Sequence, residues 1–316
     1  MEWTAYSIGM RTRFRGITIR EGMLIRGSAG WAEWSPFWDY DDPTCIPWLT
    51  AAREAAYDGW PPPLRDWIPV NCVVPAVGPE AVAPLVRRSA GCRTAKVKVG
   101  EPGQSLADDL ARVESVREAL GPRGRIRVDA NGAWTVSAAI SAVEALDRTA
   151  GGLEYVEQPC ATVEELATVR RHVQVPVAAD ESIRLASDPL RVRELDAADV
   201  VVLKVQPLGG VAACLEIADQ IGLPVVVSSA LETSIGLAAG VALAAALPTL
   251  PYACGLGSGA LLEADVVAEP LRPVDGVLPV VRPEVDPAAL AAAAADAETA
   301  DRWRQRLDRV ADLAAK

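Results

Sequence analysis

Histidine is almost missing from this chain. His172 is the only one, which excludes a histidine dyad or triad and a histidine-based zinc site. Paired cysteine motifs are missing as well: Cys45, Cys72, Cys92, Cys160, Cys214 and Cys254 are scattered with no Cys-x-x-Cys spacing and read as buried apolar residues. There is no basic excess, because the formal charge is −11 and the pI is near 4.8, and a nucleic-acid partner would call for a basic face. No apolar run reaches ~18 residues. The N-terminal region, with Arg11 and Arg13 among short mixed strands, lacks a signal-peptide core. The expectation is a soluble cytoplasmic protein without nucleic acid or membrane insertion. Nothing in the sequence sets the oligomeric state, and a monomer is compatible with it.

What is present is a series of apolar runs that end in charge. Lys96-Val97-Lys98, Val128-Asp129-Ala130-Asn131, Val156-Glu157-Gln158-Pro159, Ala179-Asp180-Glu181-Ser182 and Leu203-Lys204-Val205-Gln206 follow one another at intervals of roughly 23 to 31 residues. One strand, one helix and two short loops consume ~25 to 30 residues in a parallel βα repeat. A buried strand carries no acid or lysine without a task, and in a (β/α)8 barrel all C-terminal strand ends meet at one face. The predicted fold is α/β: a (β/α)7-8 TIM-type barrel over residues 70–262. An α+β capping domain is predicted from residues 1–69, completed by a returning C-terminal segment, residues 263–316.

The first part of the chain reads as antiparallel strands (Ala5 to Arg15, Ile17 to Arg26, Ala29 to Trp34) and a helix from Pro47 to Asp58 that Pro61-Pro62-Pro63 stops. Its tryptophans are expected to build a compact core, with some able to shield a neighbouring site from water. The barrel strands are expected at Asn71 to Val77, Ala95 to Val99, Ile126 to Asp129, Leu153 to Glu157, Val175 to Asp180, Val200 to Lys204, Val225 to Ser229 and Tyr252 to Gly255. Ser105-Leu106-Ala107-Asp108 offers a helix cap. Beyond the barrel, Val266 to Glu269 and Gly276 to Val281 read as strand-like, followed by helix from Pro287. Trp303, Leu307, Val310 and Leu313 form an apolar stripe along that helix.

Asp129, Glu157 and Asp180, arriving on three successive strand ends, make a hard all-oxygen donor set that suits Mg²⁺ and accepts Mn²⁺. Lys98 is positioned to take a proton from carbon with Lys96 supporting it, since a like charge and a nearby cation disfavour the protonated amine. Lys204 would face the bound substrate from the other side. The bland alternative is a set of separate surface acids, with the lysines serving as their salt-bridge partners.

The order Lys-x-Lys, Asp, Glu, Asp, Lys, together with Gly30-Trp31-Ala32-Glu33 in the capping region, resembles the enolase superfamily across nearly the whole chain. The resemblance implies Asp129, Glu157 and Asp180 as Mg²⁺ ligands, Lys98 as the base and Lys204 as the opposing lysine. With no histidine base available, the subgroup implied is the muconate-lactonizing-like one. Ser228-Ser229-Ala230-Leu231-Glu232-Thr233, Gly255-Leu256-Gly257-Ser258-Gly259 and the short loop at Arg13-Phe14-Arg15-Gly16 are similar to its menaquinone-biosynthesis branch in the short form of actinobacteria. That likeness implies dehydration of a hydroxycyclohexadiene carboxylate to an aromatic acid. Asn131, Ser228, Ser229 and Gly257 become candidates for substrate contacts, and Met10 to Gly16 and Trp34 to Tyr40 for specificity. An N-acylamino acid racemase or a cycloisomerase would use the same lysines. A dipeptide epimerase fits less well, because Gly255 to Gly259 holds no Asp-x-Asp pair, and a non-catalytic barrel is the reading from another class.

Overall fold

The computed structural model describes residues 3–185 and 189–315. It begins with three antiparallel strands, β1 (Trp3–Phe14), β2 (Ile17–Arg26) and β3 (Trp31–Trp34). Helix α1 (Ile46–Arg53) follows and runs directly into a π-helical turn, Glu54–Asp58, so the helix expected from Pro47 to Asp58 changes its hydrogen-bond pattern midway. Strand β4 (Trp67–Pro69) then leads into the barrel.

The barrel alternates β5 (Cys72–Val74), α2 (Pro79–Arg88), β6 (Thr94–Lys98), α3 (Leu106–Leu120), β7 (Arg125–Asp129), α4 (Val136–Ala150), β8 (Val156–Glu157), α5 (Val163–Arg170) and β9 (Val177–Ala179). It continues with the short helices α6 (Glu181–Arg184) and α7 (Arg191–Glu194), then β10 (Val200–Leu203), α8 (Val205–Leu208), α9 (Val211–Ile221), β11 (Val225–Val227) and α10 (Ser234–Ala246). The seven strands β5 to β11 form one parallel sheet in sequence order. The expected eighth strand shrinks to two residues. Gly255 N–H donates to Val227 at 2.8 Å, while Asn71 N–H donates to Cys254 at 3.0 Å, and these bridges join the last strand to the first.

Strand alternation sorts the side chains. Ala95, Val97, Ile126, Val128, Val156, Val177, Val201 and Val227 face the surrounding helices in the main core, while Tyr155, Ala178, Val200, Val202 and Val226 pack in a separate cluster on the opposite parity. Lys96, Lys98, Asp129, Glu157, Asp180 and Lys204 share that second, inward parity. Two helices start as their sequences dictate: Ser105 with Asp108, and Thr162 with Glu165, form reciprocal capping boxes at α3 and α5.

The chain then returns. Strand β12 (Val277–Pro279) pairs antiparallel with β4, and α11 (Pro287–Ala292) and α12 (Ala297–Ala314) follow. Val266 to Glu269 is not a strand: Asp265 accepts the Val266 N–H at 2.8 Å, Asp286 N–H donates to the Val266 carbonyl at 3.0 Å, and Pro270 stops any ladder. The helix expected from Pro287 is interrupted at 293–295, where the backbone bonds to the edge of β1 (Ser7 N–H to Ala293, 2.8 Å; Ala295 N–H to Ala5, 3.1 Å). Trp303, Leu307 and Val310 are buried against the N-terminal strands with Trp34 and Trp48, and the Trp34 and Trp303 rings meet edge to face at 5.5 Å. Leu313, at the end of the stripe, is half-buried.

Candidate active site

The register of the sheet sets the site. Lys98 pairs with Asp129 and Asp129 with Glu157 across adjacent strands, so three functional side chains leave the sheet at one level. Asp180 follows the last residue of β9 and Lys204 the last of β10. In a ring of eight, β6 and β10 lie four places apart, which sets Lys98 and Lys204 on opposite sides of the mouth with the three acids between them.

All three acids are fully buried, and each is held by ammonium. Lys96 Nζ lies 2.5 Å from Glu157 Oε1 and 2.9 Å from Asp129 Oδ2. Lys98 Nζ donates to Asp129 Oδ2 and to Asn131 Oδ1, both at 2.6 Å. Lys204 Nζ donates to Asp180 Oδ2 at 2.5 Å, and Arg184 Nε reaches Asp180 Oδ1 at 3.0 Å. Burial alone would push the Lys96 ammonium down, yet Asp129 and Glu157 hold it well above the ordinary lysine value. Burial likewise favours neutral carboxyls, but Lys96 and Lys98 hold Asp129 below the usual range, and Lys204 and Arg184 do the same for Asp180. Glu157 goes the other way: burial and then repulsion from Asp129 push it up.

The donor set fits a hard divalent cation. It is all oxygen, and Glu157 Oε2, in the central acid, is buried without a hydrogen-bond partner. Among the described residues no three acidic side chains converge closely enough to coordinate directly; these three are engaged in ion pairs with Lys96, Lys98 and Lys204.

Above the acids opens a cavity of about 560 Å³ lined by Lys98, Asn131, Lys204 and Ser229 from the barrel and by Phe14, Phe37 and Tyr40 from the N-terminal part, among others. Phe14 lies with its ring centroid 5.4 Å from Lys98 Nζ. Phe37 is flanked by two guanidiniums, Arg15 at 4.0 Å and Arg20 at 4.5 Å from its centroid. Both segments expected to cover the mouth, Met10 to Gly16 and Trp34 to Tyr40, thus contribute to the wall.

The wall opposite is fixed from behind. Buried Arg20 donates to the carbonyls of Leu231 (2.9 Å) and Ala230 (3.2 Å), while Glu232 Oε2 accepts the Ala230 N–H at 2.7 Å. Leu231 sits in the left-handed region at φ 65°, a conformation an ordinary residue adopts only under constraint. Glu33 of the Gly30-Trp31-Ala32-Glu33 motif is buried and accepts from Tyr6 (2.8 Å), Ser35 (2.6 Å), and the N–H and hydroxyl of Thr233 (3.0 and 2.5 Å). Its carboxyl is raised by burial against the opposing pull of Arg20.

Of the expected substrate contacts, Asn131 and Ser229 line the cavity, whereas Ser228 and Gly257 lie outside its lining. Gly257 packs against the barrel backbone, where a Cβ would come within 2.6 Å of the Asn71 carbonyl. Lys96 and the three acids form the layer beneath. Glu181 and Arg184 were not anticipated. They lie one and four residues past Asp180 on α6, so one turn of helix aims both at the mouth. A further signal lies in composition: among 31 basic residues only Lys96, Lys98, Lys204 and Lys316 are lysines, and three of these four gather here.

Two family models match the chain, Enolase C-terminal domain-like over residues 80–285 and Enolase N-terminal domain-like over residues 5–56. The chain belongs to the enolase superfamily. Within it, the chain is 63% identical to the o-succinylbenzoate synthase of Thermobifida fusca, over 96% of this chain and 98% of that protein. It is 57% identical to the o-succinylbenzoate synthase of Mycolicibacterium smegmatis, over 95% and 92% of the two chains. Among solved structures it resembles the L-Ala-D/L-Glu epimerase of Bacillus subtilis (TM-score 0.78, 23% identity, covering 90% and 96%) and the muconate lactonizing enzyme of Pseudomonas fluorescens (TM-score 0.78, 20% identity, covering 93% and 97%). At those identities the likeness speaks for the fold alone.

Proposed function

We propose that this chain is a Mg²⁺-dependent o-succinylbenzoate synthase of menaquinone biosynthesis. It would dehydrate 2-succinyl-6-hydroxy-2,4-cyclohexadiene-1-carboxylate to 2-succinylbenzoate. The observation that carries the reading is the pair Lys98 and Lys204 facing one cavity from opposite sides of the barrel, in a chain most of whose length matches enzymes of that name. Asp129, Glu157 and Asp180 would hold the Mg²⁺, with Mn²⁺ as a substitute, and the ion supplies positive charge for the carboxylate of the substrate.

Lys98 takes the proton from the ring carbon beside that carboxylate. The electron pair left behind forms the ring double bond as the neighbouring C–O bond breaks, and the proton on Lys98 leaves with the departing hydroxide as water. Lys204, opposite, stays cationic and stabilises the anionic intermediate by charge. Lys96, tied to Glu157 and Asp129, holds the carboxylate layer in place. Asn131 shares Lys98 and orients its ammonium. Among the described residues no helix is long and apolar enough to cross a membrane, and the six cysteines are buried and free, which supports a reducing, cytoplasmic setting.

The test is an assay of the purified protein with Mg²⁺ against the cyclohexadiene acid and a panel of N-acyl amino acids. Formation of the aromatic acid is expected. Turnover of the N-acyl amino acids alone would make the protein a racemase and overturn the proposal.

A further inference from the structure

Tyr40 stands where the N-terminal part of the chain meets the barrel mouth, and two cations share its hydroxyl. Arg15 Nη2, from the turn between β1 and β2, donates to it at 3.0 Å, and Arg184 Nη1, from α6, donates at 2.8 Å. Two N–H groups thus occupy the acceptor side of one phenol oxygen, while the hydroxyl's own proton meets no acceptor among the described residues. The rest of Arg184 is committed, with Nε on Asp180 and Nη2 on Glu181 at 2.5 Å. Arg15 also donates to the exposed Asp39 at 3.0 Å. Arg13 makes no hydrogen bond or ion pair among the described residues. All four residues of this cationic wall, Arg13, Arg15, Tyr40 and Arg184, line the cavity.

Beyond the grip of Arg184 on Asp180, the dehydration itself has no use for this cluster. One carboxylate of the substrate belongs at the lysines and the acid layer, and no step needs a second positive pole. In a chain of net charge −11, two guanidiniums on a phenol with a spare donor, with Arg13 in the same cavity lining, form a seat for an anion. We propose that the Arg15–Tyr40–Arg184 bridge is the subsite for the second, remote carboxylate of a dicarboxylate substrate. Tyr40 donates its O–H to that carboxylate, and Arg15 and Arg184 hold the phenol in place and supply the charge. This rests on the dehydratase reading, in which the substrate carries a succinyl arm.

The test compares two ligands in two proteins, measuring dissociation constants by calorimetry in Mg²⁺ buffer. The ligands are 2-succinylbenzoate and 2-butanoylbenzoate, which has the same skeleton without the remote carboxylate. The Tyr40 ring packs edge-on against Phe37 at 5.9 Å and tilted against Trp48 at 6.1 Å, so Tyr40→Phe keeps the packing and removes only the hydroxyl. The wild type should prefer the diacid, and Tyr40→Phe should cut that preference about tenfold while leaving the affinity for the mono-acid unchanged. Arg15→Gln should cut the preference as well, and it decides the matter if Tyr40→Phe fails to fold. Equal weakening of both ligands would make the bridge only a clasp between the two parts of the chain. That result, or a preference for the diacid that survives both substitutions, overturns the proposal. Because binding is read without turnover, a protein that fails to dehydrate the cyclohexadiene acid refutes the proposed function through a separate measurement.

Discussion

Replacing Glu232 by glutamine should stabilise the protein at pH 8 and do little near pH 5. Glu232 is only 4% exposed, lies behind the cavity wall, and accepts the Ala230 N–H at 2.7 Å. Burial, and after it the neighbouring charge of Glu33, pushes its carboxyl up from 4.5 to about 7. An acid whose folded pKa is raised costs the folded state free energy once it ionises. The cost is absent below the unfolded value near 4.5, grows as pH rises through the window up to about 7, and stays constant above it. At ~1.4 kcal/mol per unit, the shift from 4.5 to about 7 corresponds to at most about 3.5 kcal/mol. Glutamine is nearly isosteric, its carbonyl can still accept the Ala230 N–H, and it carries no charge to bury. Urea unfolding of wild type and Glu232→Gln at pH 5, 6, 7 and 8 in the presence of a chelator gives the difference curve, from which the other titrating groups cancel. The advantage of the mutant should grow by about 2 kcal/mol from the lowest to the highest pH. A flat difference curve, or a mutant less stable than wild type at pH 8, would show that the charge at Glu232 is compensated and that the reasoning is wrong.

Asp129→Asn, Glu157→Gln and Asp180→Asn should each lower Mg²⁺-dependent turnover and calorimetric Mg²⁺ affinity by ~100-fold or more, with the far-ultraviolet spectrum unchanged. A variant that keeps both affinity and rate removes that residue from the ligand set. Glu54 closes the N-terminus of α9 from the N-terminal part of the chain, accepting Val211 N–H at 2.7 Å and Ala212 N–H at 2.8 Å. Glu54→Ala should therefore cost about 1–2 kcal/mol in urea unfolding, and no loss would mean that solvent caps the helix equally well.

The barrel and the gathering of its charged strand ends were legible because strand alternation and parallel repetition leave marks in sequence. A lysine or acid at the end of a valine-rich run has only the barrel mouth to face, and register then aligns Lys98, Asp129 and Glu157. Where single residues depend on distant backbone, the sequence was mute. The alanine-rich stretch at 293–295 has every local reason to continue as helix, and only the unpaired edge of β1 breaks it. Val266 to Glu269 has the composition of a strand but no strand beside it to pair with. Ser228 shares the inward parity yet stays out of the cavity lining, and the glycine at 257 serves close packing on Asn71. Arg15, Tyr40 and Arg184 meet across 25 and 144 positions of chain, so no local pattern could join them.

The measurement that tests the account most directly is dehydration of the cyclohexadiene acid by Lys98→Ala and Lys204→Ala, each first shown to bind Mg²⁺ as the wild type does. If Lys98 takes the proton and returns it to the leaving hydroxide, Lys98→Ala forms no aromatic product and exchanges no ring proton with solvent deuterium. Lys204→Ala, which loses only an opposing charge, should still begin with proton removal and be slowed by ~100-fold or more. Aromatic product from Lys98→Ala, with Lys204→Ala inert to exchange, would place the base on the opposite side of the cavity and contradict the account.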